Sequence, residues 1–148
     1  MKEVAYADVA SLVGQEIGVS DWVEVTQERV NLFAEATGDH QWIHVDVERA
    51  TKEIGGPIAH GYLTLSLIPM LGADILRVTG VTRGINYGCD KVRFTGMVRV
   101  GKRVRMRQKL LSAEPIDNSG YQMAWEITVE REGAAKPVCI AESLSRRY

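Results

Sequence analysis

Cysteine is scarce in this chain: Cys89 and Cys139 stand far apart and form no Cys-x-x-Cys pair. That excludes a disulfide framework and a cysteine zinc site, and it implies reduced thiols in a cytoplasmic protein. An excess of one charge is also missing. With 18 basic and 19 acidic residues the net charge is −1, so no global basic field draws the chain to nucleic acid or to an anionic membrane. Any anion-binding site must be local. Long apolar runs are missing too. The longest uncharged stretch, Gly61 to Ala73, is too short to cross a bilayer and contains Pro69. Met1 to Tyr6 has early charge and no apolar h-region, so no secretory signal is expected. No repeat, low-complexity tract or Pro/Gly/Ser linker divides the 148 residues, which read as one domain, 1–148, long enough to bury a core.

What is present is a change of pattern halfway along. Ser20 to Val25 alternates and is rich in β-formers, which predicts a strand. Thr26 then reads as an N-cap, with Glu28 in the first turn and Val30, Phe33, Ala34 and Thr37 at helical spacing. Gly38 is a natural residue to stop that helix, so Asp39 begins a loop. Asp46 caps a second, short helix, which places His44 just outside its start. After Gly55-Gly56-Pro57, a helix from Gly61 to about Arg77 is apolar on nearly every face, as a buried helix must be, with Pro69 bending it. The second half reads as strands: Ile85–Phe94, Arg103–Leu111, Tyr121–Glu130 and Pro137–Ser145. Gly101-Lys102 and Asp117-Asn118-Ser119-Gly120 supply turns. Helices followed by strands argue α+β, with a curved antiparallel sheet packed on the buried helix.

Three groups of residues could carry chemistry. Asp39 and His44 offer one strong acceptor and one switchable donor near neutral pH, which suits general acid–base work on a shared water. Spacing alone is equally served by a turn cap and a helix-end residue. His60-Gly61 opens the apolar helix. A glycine there exposes backbone N–H groups and lets a ligand approach, and it also permits close packing on the sheet. His60 reads as a polar residue propping that start. Finally, Arg103, Arg105, Arg107 and Lys109 share one strand face, with Val104, Met106 and Leu110 on the other. That basic face is either a solvated surface or a local phosphate patch. Without interleaved aromatics it gives nucleic-acid binding little support.

Ala36-Thr37-Gly38-Asp39-His40-Gln41-Trp42-Ile43-His44-Val45-Asp46 closely resembles the signature of the MaoC-like, R-specific enoyl-CoA hydratases. Gly56-Pro57-Ile58-Ala59-His60-Gly61 resembles the family's second block in content and distance. Asn86-Tyr87-Gly88 with Lys91-Val92-Arg93-Phe94, then Val100-Gly101-Lys102-Arg103-Val104, resembles its third. The likeness runs from about Val13 to the C-terminus and suits the single-domain NodN-type branch.

The resemblance implies a hot-dog fold, in which a curved antiparallel sheet wraps one long helix. It implies that Asp39 and His44 act together on the water that adds across C2–C3 of a trans-2-enoyl-CoA. The Gly61 N–H would hold the thioester oxygen. Gln41, Trp42, His60, Asn86, Tyr87 and Gly88 are the expected substrate-binding residues. Gln41-Trp42 replaces the Asn-Pro of many members, which bears on loop shape and pocket width. Lys91, Arg93 and Arg103 are candidates for the CoA phosphates. No metal or redox cofactor is expected, coenzyme A arriving as part of the substrate, and a homodimer is expected. Two other functions stay open. A hot-dog thioesterase would share fold and ligand, but the helix has no acid before Asp74, where such enzymes usually place one. A non-catalytic acyl-binding subunit of a heteromeric dehydratase is the other, against which the pair Asp39 and His44 argues.

Overall fold

In the computed structural model, which describes all 148 residues, the chain opens with elements that no periodicity announces. Strand β1 (Lys2–Ala5) leads into a 3₁₀ segment (Tyr6–Leu12), then β2 (Glu16–Val19) and the two-residue β3 (Val23–Glu24). The strand expected over Ser20–Val25 survives only as β3. Ser20 is the cause. Its own N–H donates to the Met106 carbonyl, but the Met106 N–H turns to the Ser20 hydroxyl at 3.0 Å, so a side chain replaces the next ladder bond.

The helices follow their caps. Helix α1 (Gln27–Thr37) begins where Thr26 Oγ1 accepts from the Arg29 N–H, and ends at Gly38, whose φ of 78° is left-handed. A helical turn not expected from the sequence, α2 (Trp42–Val45), carries His44. Helix α3 (Val47–Ile54) starts at Asp46, whose carboxylate accepts from the Arg49 N–H at 3.0 Å.

The long central helix is shorter and less regular than its apolar run suggests. It consists of α4 (Gly61–Ser66) and α5 (Ile68–Ala73), joined at Leu67. Pro69 cannot donate to the Leu65 carbonyl, and the turn loosens there. Leu67 keeps right-handed angles, and the Leu71 N–H still reaches the Leu67 carbonyl at 3.0 Å, so the two pieces run on. The chain leaves the helix before Arg77. Strand β4 (Leu76–Thr79) instead lies parallel to β1, from Lys2 opposite Leu76 to Ala5 opposite Thr79. Nor is the helix buried all round: Leu63, Leu67 and Leu71 are, while Tyr62 and Met70 are exposed.

The remaining strands are β5 (Gly84–Arg93), β6 (Arg103–Ile116), β7 (Gly120–Arg131) and β8 (Cys139–Arg147). They build an antiparallel sheet in the order β2-β6-β7-β8-β5, with β3 also on β6. Bulges between Asn86 and Gly88 and between Leu110 and Ser112 bend it. Alternate residues, among them Val104, Met106, Leu110, Met123, Ile127, Val129 and Ala141, are buried in one cluster with Leu63, Leu67 and Leu71 of the helix. This is the hot-dog fold.

The opposite face of β6 corrects the phosphate-patch expectation. Arg103 lies on Glu132, with Nε to Oε2 at 2.8 Å. Arg105 and Arg107 both hold Glu130, at 2.7 and 2.6 Å. Burial alone would raise the Glu130 pKa, but the two guanidinium hydrogen bonds outweigh it and hold the carboxyl below its ordinary value. The three arginines of the basic row are thus paired within the sheet.

Leu71 is fully buried where the helix meets the sheet. Leu71→Ala should cost about 2–5 kcal/mol of stability, read as a lower urea midpoint at unchanged slope.

Candidate active site

The segment before α4 is pinned on both flanks. The Ile58 N–H donates to the Ile43 carbonyl at 3.0 Å, the Ala59 N–H to Val98 at 2.8 Å, and the Val100 N–H to Pro57 at 3.0 Å. Arg99 adds its guanidinium, reaching the carbonyls of Gly56 at 2.7 Å and Ile54 at 2.5 Å. It thereby satisfies the C-terminal end of α3, where a cation is favoured. Gly55 and Gly56 take φ values of 79° and 133°, which turn the chain under that arginine.

His44 and His60 meet over this segment. Their rings stack with centroids 3.8 Å apart and planes 26° apart, and Phe33 lies 4.9 Å from His60. Both are buried, at 6% and 2% exposure, whereas Asp39 is exposed. His44 Nδ1 lies 2.6 Å from the Ile58 carbonyl. A carbonyl can only accept, so the proton sits on Nδ1 and the Nε2 lone pair is left free. His60 Nε2 lies 2.9 Å from the backbone carbonyl of Asp39, so Nε2 carries the proton there, and the buried Nδ1 has no partner. Gln27 fixes the His44 backbone by donating to its carbonyl at 2.8 Å.

The electrostatics favour a neutral His44. Burial lowers its pKa most, and the neighbouring His60 lowers it further; the Ile58 bond and Asp39 oppose this and do not win. Atoms of Asp39, His44 and His60 lie within 4.8 Å of one another, close enough to suggest a metal. The carboxylate and the neutral imidazole are thus neighbours without a direct hydrogen bond.

Gly61 answers to both sequence-level readings. A Cβ there would sit 2.8 Å from the Phe94 ring, so close packing demands glycine. Its N–H, like that of Tyr62, has no acceptor in the chain. Because α4 is six residues long, that N–H acts as a hydrogen-bond donor more than through a helix dipole.

Of the other expected site residues, His60 and the Gln41 backbone meet Asp39 here, whereas Trp42, Asn86, Tyr87 and Gly88 are held elsewhere. Gln41 is exposed at the start of α2, its side chain making no cap bond. Trp42 lies under the Arg49 guanidinium, 4.2 Å from ring centre to carbon. One face of the indole is therefore taken by a cation of α3. His60 contacts the Asp39 carbonyl and the His44 ring, so it holds other residues in place. Asn86, Tyr87 and Gly88 lie on β5. Asn86 faces a separate cavity, and Tyr87 is covered by Arg146 at 3.6 Å. Of the phosphate candidates, Lys91 pairs with Glu142 at 3.0 Å, Arg93 folds onto the Val92 carbonyl at 2.7 Å, and Arg103 is held by Glu132. Sequence reasoning missed Gln27, Arg99 and Phe94. Gln27 reaches a partner 17 positions away, Arg99 reaches partners 43 and 45 positions away, and Phe94 packs on Gly61; no local pattern marks such contacts.

Comparison with known proteins gives a consistent picture. A family model described as "MaoC like domain" matches residues 8–130. The 3-hydroxyacyl-thioester dehydratase Z of Mycobacterium tuberculosis is 53% identical over 141 residues, covering 95% of this chain and 93% of that protein. Nodulation protein N of Rhizobium meliloti is 46% identical over 144 residues, covering 95% and 89%. Among solved structures, an unliganded R-hydratase of Pseudomonas aeruginosa aligns with a TM-score of 0.67 at 27% identity, over 90% of this chain and 79% of that one.

A depressed His44 pKa has a signed consequence for stability. Between the unfolded value near 6.5 and the lower folded value, the unfolded chain binds more protons. Stability should therefore be full above pH 6.5, fall as pH is lowered through that window, and level off below it. Urea midpoints measured across pH 5–8 should show the fall in the wild type, and His44→Gln should flatten it.

Proposed function

Since the chain belongs to the MaoC-like domain family, we propose that it is a hydro-lyase interconverting trans-2-enoyl and R-3-hydroxyacyl thioesters of coenzyme A. The observation that carries this is the free Nε2 of a neutral, buried His44 beside the Asp39 carboxylate, with His60 stacked on His44 and joined directly to Gly61.

In the hydration direction, Asp39 and His44 hold one water. The thioester oxygen accepts from the Gly61 N–H, which draws electron density from C3. The pair takes a proton from the water as its oxygen bonds to C3, and the C2–C3 π electrons move into the enolate on the thioester oxygen. The proton is then delivered to C2, and the enolate collapses. Net addition is H to C2 and OH to C3, and dehydration is the reverse. Asp39 and His44 emerge in the state in which they began. A lowered His44 pKa keeps the imidazole unprotonated and ready to accept at neutral pH. His60 keeps both partners in register through the Asp39 carbonyl and the ring stack.

The proposal includes a homodimer. Strand β5 is a sheet edge ten residues long with Ile85 and Tyr87 exposed, and Tyr62, Met70 and Phe94 are exposed as well. Unprotected edges and apolar patches of this kind are usually covered. Native mass measurement should give twice the chain mass, and Ile85→Lys should shift it toward the single chain.

The decisive assay is hydration of crotonyl-CoA, followed by loss of enoyl absorbance and chiral analysis of the product. Asp39→Asn and His44→Gln should each slow it by about 100-fold or more. Wild-type rates in both variants would falsify the assignment. Free thiol released at a comparable rate would favour the thioesterase instead, and an inactive, folded wild type would favour the non-catalytic subunit.

A further inference from the structure

A cavity of about 710 Å³ lies away from the two histidines, between the helix and the end of the sheet where β8 finishes. That volume is in the range that holds a small ligand. Its helix wall runs from Leu65 to Ala73 and is apolar except for Ser66, whose hydroxyl is turned to the Tyr62 carbonyl; Leu76, Val78 and Ile127 are apolar too. Its sheet wall is not.

Inward positions on a half-buried sheet should be apolar. On β6 the inward row reads Val104, Met106, Gln108, Leu110, and Gln108 is 8% exposed with its Oε1 bonded to nothing. On β8 the row reads Cys139, Ala141, Ser143, Ser145, Arg147, changing from apolar to polar on reaching the cavity. Ser145 accepts from the Trp125 indole at 2.9 Å and keeps its own O–H to donate. Gly72 makes room for the Gln108 amide: a Cβ there would meet Oε1 at 3.3 Å.

Arg147 is the unusual member. Other arginines near this end of the sheet have partners. Arg146 lies on Tyr87 and donates to Gln122, and Arg83 lies on Tyr148. Arg147 lines the cavity, and burial depresses its pKa with no carboxylate or hydrogen bond to offset the loss of water. Gly84 on the facing strand has no side chain, and a Cβ there would overlap the Arg147 guanidinium. The fold therefore makes space for a half-buried cation, leaves its charge unanswered, and sets an unpaired buried amide in the same cavity.

We propose that this cavity receives the acyl chain of the thioester and selects chains that carry a carboxylate at the far end, with Arg147 as counter-charge and Gln108 and Ser145 as hydrogen-bond partners. The inference rests on the thioester reading above. In that reading the carbonyl sits at Gly61, and the cavity begins one turn further along the same helix, at Leu65. The charged coenzyme must stay toward water, so the chain is the part that enters. A methyl end would cover Arg147 and Gln108 without bonding to either, whereas a carboxylate satisfies the first by a bidentate pair.

The test compares two saturated thioesters of equal chain length, octanoyl-CoA and suberoyl-CoA, by titration calorimetry on the full chain. The wild type should bind suberoyl-CoA tighter by about tenfold or more. Arg147→Met should abolish or reverse that preference, and Arg147→Lys should keep part of it. The ratio within one preparation cancels the fraction folded. Equal or tighter binding of octanoyl-CoA by the wild type, or a preference that survives Arg147→Met, overturns the proposal. Hydration of the matching 2-enoyl thioesters separates the two claims. A binding preference without hydration of either substrate leaves the cavity assignment standing and removes the hydratase reading. Hydration of both without preference does the opposite.

Discussion

The Ile58 carbonyl, accepting from His44 Nδ1 at 2.6 Å, is the contact on which the arrangement of the histidine pair depends. It chooses the tautomer. Nδ1 carries the proton, so Nε2 has the lone pair, and only then can His44 serve as a base. That carbonyl is in place because Pro57–His60 is an extended segment bonded to α2 on one side and to Val98–Val100 on the other. The same segment delivers His60 to the face of His44 and Gly61 to the start of the helix. Loosening it would disturb the base, the stacked ring and the N–H donor together, because one short stretch of backbone sets all three.

The sheet shows two ways of treating charge. On the outer face of β6, arginines lie opposite glutamates in register, Arg105 across from Glu130, and each guanidinium finds its carboxylate. On the inner face, Gln108 and Arg147 lie among apolar neighbours and find nothing. The outer pairs are partly exposed and contribute little net stability. The inner groups cost stability, since a desolvated polar atom without a partner is unfavourable. A fold keeps such a cost where a ligand removes it. Between the helix and the inner face lies a cavity whose wall carries a half-buried cation without a partner.

Much of this was legible in the chain. Thr26, Gly38, Asp46 and Gly55 mark helix ends by local chemistry, and the structure uses each of them. Alternation located the four long strands within a few residues. Period two even places Gln108 on the apolar row of β6, a signal visible in the sequence yet passed over beside the more obvious arginines. The helix from Gly61 was overestimated because composition alone cannot say where an apolar run changes its partner. Leu76–Thr79 pairs with β1, 74 positions earlier in register. The phosphate-patch expectation failed for a related cause: the carboxylates that neutralise Arg105 and Arg107 arrive from β7 and β2.

The sequence by itself determined the fold class, the helix caps and the apolar helix led by a glycine, because caps and periodicity are local properties. It could not say which nitrogen of His44 holds a proton, that His60 would stack on it, or that Trp42 would be covered by Arg49. Nor could it reveal that one arginine near the C-terminus would be left without a partner. Those depend on which distant groups come within about 3 Å, the range over which hydrogen bonds form and charges are satisfied, and only chain folding sets such distances.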